Sequence, residues 1–508
     1  MSELIKESYW VDSAPSPSHP PLAEDLTVDV AVIGAGIAGV CTAWELARTG
    51  KRVALLEADE VLTGTTGYTT AKVSALHTLR YAEIRRAFGA EGAATYATTQ
   101  QGAIERVAEV VAELGIDCQF ERVPAYTWVE SEGQLAKIHS EVEAATEAGL
   151  PASFVTESDL PFPIAGAIRV EDQAQFHPRA YLLALLDDLR KHGGQVFEHT
   201  RIHGLEEGEP CRVVSESGHT VTAADVVVAT HYPVFDRAML FARLVPHRDL
   251  VIAAVIPEVQ DPKGMYITPE QGIRSVRTAP YGEGERLLIV TGEGFTPGEG
   301  EVEPRYQALA DWTSERFPGA RLTYRWSAQD TSTPDGISYI GPFHLGARHT
   351  WVATGFGGWG MTNGVLAGQL LTALINGESP SHAGLYDPRR IHPLKEAVPM
   401  LKAQAKVAGH MVGDRLRSYV GSVDDIAPGQ GAVVRVDGER CAVYRDDAGQ
   451  CHAVSATCTH LGCLVNFDDA ERSWVCPCHG SRFATDGSVL HGPATKPLRA
   501  VSAPPAPH

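Results

Sequence analysis

The stretch VDVAVIGAGIAGVCTAWELARTGKRVALLEA, Val28 to Ala58, constrains the fold more than any other part of this chain. It reads as an apolar strand, a glycine-rich turn, an amphipathic helix and a second apolar strand that closes on an acid, which together make a βαβ unit. Gly34, Gly36 and Gly39 supply G-x-G-x-x-G. The first allows the tight turn, the second lets backbone approach a pyrophosphate, and the third lets helix and strand pack closely. The pyrophosphate then meets a helix N-terminus, where free N–H groups and the dipole favour an anion. Glu57 closes the second strand, about twenty residues beyond the turn, where a carboxylate can accept from both ribose hydroxyls.

The segments that follow separate FAD from NAD. A nicotinamide dehydrogenase would complete one continuous sheet soon afterwards, whereas here GTTGYTTAKVSALH, 64–77, follows the acid directly. Much later DVVVATHYP, 225–233, gives another buried strand, and WVATGFGGWGMTNGVLAGQLLTALINGE, 351–378, a strand, a glycine-rich turn and a helix. In this order the chain resembles the FAD-dependent D-amino-acid oxidase, glycine oxidase and sarcosine oxidase family from about Asp29 to Asp387. The resemblance implies that Thr65, Thr66, Thr69 and Thr70 pass the flavin ring and that the strand at Ile202 touches the adenine through backbone. It also implies that Gly357, Gly358, Gly360, Met361 and Thr362 present a helix N-terminus to the flavin N1–C2=O edge, where N–H groups stabilise the anionic reduced ring. Some relatives attach flavin through a cysteine just before a segment like TPDG, 333–336. No cysteine lies between Cys211 and Cys441, so the FAD is expected to be non-covalent. The family's substrate-grip residues have no clear match, so no substrate carries over.

Near the other end, CTHLGC, 458–463, is answered by CPCHGS, 476–481. Each loop offers one thiolate and one imidazole: Cys458 with His460, and Cys476 with His479. Such a set suits tetrahedral zinc, or an iron–sulfur cluster with histidine replacing cysteine on one iron. Classical zinc fingers group like ligands together. One of each per loop instead lets one iron collect both thiolates and the other both imidazoles. The loops resemble the Rieske proteins with a loop-to-loop disulfide, from roughly Val423 onward. The resemblance assigns Cys458, His460, Cys476 and His479 to a 2Fe–2S cluster, Cys463 with Cys478 to the disulfide, and GPATKPL, 492–498, to the proline loop over the cluster. High-potential relatives have a serine and a tyrosine donating to the cluster sulfurs. Ser481 is present here, but the tyrosine position reads Phe483, which implies a lower potential.

The expected organisation is an N-terminal arm over 1–26, an FAD-dependent oxidoreductase domain over 27–387, a helical connector over 388–422 and a Rieske domain over 423–508. The FAD-binding segments are placed at about 27–80, 165–235 and 325–387, with substrate-domain segments at about 81–164 and 236–324. The fold class is therefore a Rossmann-like α/β domain with an α+β substrate domain, followed by an all-β Rieske domain. TQQGAIERVAEVVAELGI, HSEVEAATEAGL and PRAYLLALLDDLRKHGG have helical apolar spacing. VPAYTWVE, MYITPEQGIRSVRTAP and RLLIVTGEGF read as strands of an antiparallel sheet roofing the flavin. Arg274 and Arg277, three apart on one strand, lie on opposite faces, so at most one faces the pocket and could clamp a carboxylate. Lys72, behind the flavin-side loop, is a further candidate for tuning flavin or activating substrate. His231 and His247 are open to a structural reading at least as much as to a pocket role.

The net charge of −20 leaves no basic surplus for phosphates and argues against nucleic acid. No apolar run is long enough to span a bilayer, and MSELIKESYW is not a signal peptide, so a cytoplasmic address is expected. Flavin takes two electrons as a hydride, while a 2Fe–2S cluster passes one. Together they suit a dehydrogenase of a small amine or amino acid whose reduced FAD empties through the cluster to an external, unidentified acceptor. The rivals are an electron-transfer or redox-sensing protein and a reductase component fed by a partner. A second glycine fingerprint for a nicotinamide, which the reductase would need, is absent from the sequence.

Overall fold

The computed structural model describes residues 4–501 apart from 236, 391–421 and 437. The connector expected over 388–422 thus lies almost wholly outside the described residues. The βαβ unit forms the centre of an eight-stranded sheet: Leu26–Ile33 runs parallel to Val53–Leu56 on one side and to Thr220–Val228 on the other. Gln195–Phe197 and Thr350–Thr354 extend the parallel run outward. Val30 to Val32 and Val226 to Val228 are buried, as expected of parallel strands covered on both faces. Helices Ile37–Arg48 and Gly360–Ile375 pack on each other. They meet at glycine, since a Cβ on Gly368 would lie 2.8 Å from that of Cys41.

A second sheet of nine strands follows the order Arg321–Ser332, Val245–Pro257, Glu285–Phe295, Arg274–Pro280, Met265–Ile267, Glu121–Val129, Gly166–Gln175 and Lys72–Val73, with Ala152–Val155 beside Gly166–Gln175. Two expectations change here. The sheet is mixed, because Met265–Ile267 pairs parallel to Glu121–Val129. Those strands come from segments far apart in sequence, so no hairpin turn fixes them antiparallel. The boundaries also move: Lys72–Val73, Gly166–Gln175 and much of Arg321–Ser332 fall within segments assigned to FAD binding, yet they hydrogen-bond in this second sheet. The chain crosses between sheets at strands whose own pattern does not reveal their partner.

The expected helices span Arg80–Leu114, Leu135–Glu147 and Pro178–Lys191. The N-terminal arm is irregular over the Pro/Ser-rich stretch, but Ser8 caps a short helix, Tyr9–Ser13, just before it. Trp10 of that helix is fully buried and its Nε1 donates to Thr69 O at 2.7 Å, so the arm holds the flavin-side loop from outside.

The C-terminal part is all β, with a three-stranded sheet, Gly431–Val436, Glu439–Arg445 and Cys451–Ser455, and a four-stranded one, Asn466–Asp468, Ser473–Val475, Arg482–Phe483 and Val489–His491. It is seated on the nine-stranded sheet. Arg248 of the strand Val245–Pro257 is 0% exposed and pairs with Asp468 at 2.5 Å and with Glu471. Asp469 caps the helix Glu303–Arg316 by accepting from Val302 N at 2.9 Å, and Asn466 Nδ2 donates to Gly298 O at 2.8 Å.

Candidate cofactor crevice and metal centre

One long crevice runs across the C-terminal ends of the parallel strands. Gly34 turns the chain there at φ +99°, and a Cβ on it would lie 2.5 Å from Ala229 O, so only glycine lets the two strand ends meet. The helix Ile37–Arg48 starts at Gly36 without a side-chain cap, leaving N–H groups directed into the crevice. Thr66 Oγ1 accepts from Ile37 N at 3.0 Å, which fixes the loop 64–70 above that helix start. Glu57 accepts from Ala35 N at 2.7 Å and Asp59 N at 3.1 Å, and burial raises its carboxyl pKa.

Thr65, Thr66, Thr69, Thr70 and Ile202 line the crevice together with Gly358, Gly360 and Met361 at the start of the second helix. Gly357 and Thr362 stand just behind this lining. Gly357 N donates to Thr331 O at 2.9 Å, and Thr362 is buried toward Ser74 and His77. Two helix N-termini, a ribose-level carboxylate and glycine backbone in place of side chains fit an extended dinucleotide cofactor such as FAD.

The catalytic candidates lie elsewhere. Lys72 is buried on its two-residue strand and its Nζ donates to Tyr266 O at 2.7 Å and to Ser275 Oγ. Burial and then Arg277 lower its pKa to about 7. Arg277 and Arg274 do point to opposite faces, but neither lines the crevice. Arg277 Nη1 donates to Ala71 O at 2.6 Å under the ring of Trp10, and Arg274 pairs with Glu293 at 2.5 Å beside Trp312. Strand alternation gave the two faces correctly. Which neighbour each face meets depends on the order of strands, which local sequence does not carry.

Residues not singled out on sequence line the crevice instead. Asp249, Thr291 and Asp330 face the crevice from the nine-stranded sheet. His231, open on sequence to a structural or a pocket role, also lines it, at 3.1 Å from Asp330 Oδ1 through Nε2 and 3.3 Å from His491 Nε2 through Nδ1. His247, at 3.1 Å from Asp249 Oδ1, stays outside the lining. The only signal in the sequence was polar residues on otherwise apolar strands, too common to single these out.

His491 belongs to the C-terminal part, and Leu490, Gly492, Ala494 and Thr495 of the same part also wall the crevice. Behind that wall the two cysteine–histidine loops converge. Cys463 and Cys478 form a disulfide. Cys458 and Cys476 lie side by side in the same core, and Ser481 Oγ accepts from Ala494 N at 3.0 Å, tying the second ligand loop to the 492–498 loop. The rings of His460 and His479 stand 4.9 Å apart at 89°. His479 is 2% exposed, yet neither ring nitrogen has a hydrogen-bond partner. A buried imidazole orphaned at both nitrogens is costly unless a metal takes one of them. Two thiols and two imidazoles converging beside a disulfide fit a 2Fe–2S cluster with mixed ligands. Thr459 Oγ1 donates to Lys496 O at 2.6 Å, tying the 492–498 loop to the first ligand loop. Phe483 is fully buried in this core and offers no hydroxyl.

Residues 29–374 match the family described as FAD dependent oxidoreductase. The chain belongs to that family. In this FAD dependent oxidoreductase, residues 417–502 match the Rieske 2Fe-2S domain, so the chain is an oxidoreductase whose two parts imply FAD and a 2Fe–2S cluster. Among its relatives, the Rieske 2Fe-2S iron-sulfur protein YhfW of Bacillus subtilis is 38% identical over 97% of this chain and 97% of its own length. Gamma-glutamylputrescine oxidoreductase of Escherichia coli is 24% identical, over 75% of this chain and 91% of that protein. Glycine oxidase from Geobacillus kaustophilus has the same fold, with a TM-score of 0.61 at 19% identity, covering 72% of this chain and all of that one. No described helix is long and apolar enough to cross a membrane.

Proposed function

We propose that this protein dehydrogenates a small amine or amino acid at its C–N bond and exports the electrons singly through the Rieske cluster to an external acceptor. The observation that carries this reading is that the Rieske domain is itself a wall of the flavin crevice. His479 packs edge-on against Tyr232 and Phe241, with ring centroids at 6.2 and 6.3 Å, and Tyr232 directly follows the crevice residue His231. His460 is the less buried of the two histidines and adjoins Leu461, which is 41% exposed. This supports entry of electrons on the His479 side and departure from the His460 side.

A bound flavin would supply hydride acceptance, and the cluster single-electron transfer. The chain's own residues then act around them. Thr66 and Glu57 fix backbone at the crevice, the sheet residues Asp249 and Thr291 offer polar contacts to a bound amine, and the Rieske wall excludes water. Relatives and fold neighbours named for glutamylputrescine and glycine favour C–N substrates over alcohols. An anaerobic panel of amines and amino acids tests the reading. At least one should bleach the flavin, and a Rieske EPR signal should follow. If none bleaches it, the substrate class is wrong.

A further inference from the structure

Gln329 stands on the strand Arg321–Ser332 between Ala328 and Asp330, both of which line the flavin crevice. Strand alternation turns the Gln329 side chain the other way, toward the Rieske domain. Its backbone carbonyl accepts from Thr65 Oγ1 at 2.9 Å, and its Nε2 donates to Gly480 O at 2.9 Å. Gly480 directly follows the ligand His479. One residue therefore bonds to the flavin-side loop through its backbone and to a ligand loop of the cluster through its side chain.

The approach is close. Gly480 sits at φ +78°, and a Cβ there would lie 2.5 Å from Gln329 Nε2 and 3.2 Å from Pro246 Cβ. Gln329 is buried, and its Oε1 has no partner. A buried amide with an unsatisfied oxygen is a poor choice for packing alone, because an apolar side chain of similar size avoids that desolvation cost. The donating Nε2–H is what the amide contributes here.

We infer that Gln329 is the positioning residue that couples the flavin crevice to the cluster, fixing the spacing between the Thr65 loop and the His479 loop and providing the bonded path between them. The inference rests on the electron-export reading. Oxidation of one CH–NH unit to C=N releases two electrons and two protons. The electrons cross one at a time to two equivalents of a one-electron acceptor, and the protons go to water.

Photochemical reduction of the flavin with EDTA and light, in the full-length holoenzyme under anaerobic conditions, tests this without a known substrate. Cluster reduction is followed by EPR after freeze-quenching. Gln329→Leu and the similarly long Gln329→Met, neither of which can donate to Gly480 O, should each slow cluster reduction at least tenfold. FAD content, iron content, cluster EPR line shape and cluster potential should match wild type. Should the Leu variant lose either cofactor, the Met variant decides. Rates within twofold of wild type would overturn the inference, and so would a slowing that tracks a shifted cluster potential. A wild-type cluster that stays oxidised beside reduced flavin would overturn the electron-export reading, and this inference with it.

Discussion

Arg248 of the nine-stranded sheet and Asp468 of the Rieske domain form a buried ion pair at 2.5 Å, joining two parts of the chain 220 residues apart. Glu471 shares the same guanidinium and is also bonded by Ser327 and Arg482. Buried charges specify one docking geometry well, because any displaced arrangement leaves a charge unpaired in low dielectric. Arg248→Met should therefore destabilise the protein by about 3–5 kcal/mol, the usual cost of removing one partner of a buried pair. Chemical denaturation of the holoenzyme should also separate into two transitions, since the variant loosens the junction rather than either core. A single transition with an unchanged midpoint would contradict this.

Glu57 is held by two backbone N–H groups in the crevice, where we propose that it meets the FAD ribose. Glu57→Gln keeps its shape but removes the charge that strengthens hydrogen bonds from ribose hydroxyls. FAD should bind more weakly by about 1.5–3 kcal/mol, the range for hydrogen bonds to charged groups. Titration of the apoprotein with FAD, followed by quenching of flavin fluorescence, measures it.

Phe483 is fully buried in the same core as Cys458 and Cys476. Phe483→Tyr adds a hydroxyl donor near the cluster sulfurs, and hydrogen bonds to sulfur favour the more negative, reduced state. The midpoint potential should rise in a redox titration monitored by EPR, with little change in iron content.

Lys72 has an ordinary pKa of 10.5 and a folded value of about 7, lowered first by burial and then by Arg277. The unfolded chain binds more protons between those values, so stability should rise with pH across that window. Lys72→Met should flatten the rise between pH of about 7 and about 9, measured by urea denaturation. It should leave flavin bleaching intact, since Lys72 lies outside the crevice.

The glycine turn and the two cysteine–histidine loops were legible because their conformation and ligand spacing are set within a few residues of chain. Gly34 needs its positive φ for the turn itself, before any distant contact is made. The crevice residues of the second sheet and the Rieske domain were not legible. His231 meets Asp330 across 99 residues and His491 across 260, and nothing local to any of the three records that meeting. Lys72 and Arg277 misled for the same reason: their burial and their hydrogen bonds to Tyr266, Ser275 and Ala71 are products of strand order. The junction itself, with Gln329 and Arg248 reaching across, becomes visible only once both sheets are in place.

The most direct test of electron export is a single anaerobic turnover of the full-length protein with a substrate that bleaches its flavin, sampled in time by absorbance and EPR. If the cluster drains the flavin, absorbance near the flavin maximum falls first, and the Rieske EPR signal grows afterwards as the flavin begins to recover. Bleached flavin that persists beside an oxidised cluster, for as long as substrate turnover lasts, would contradict it.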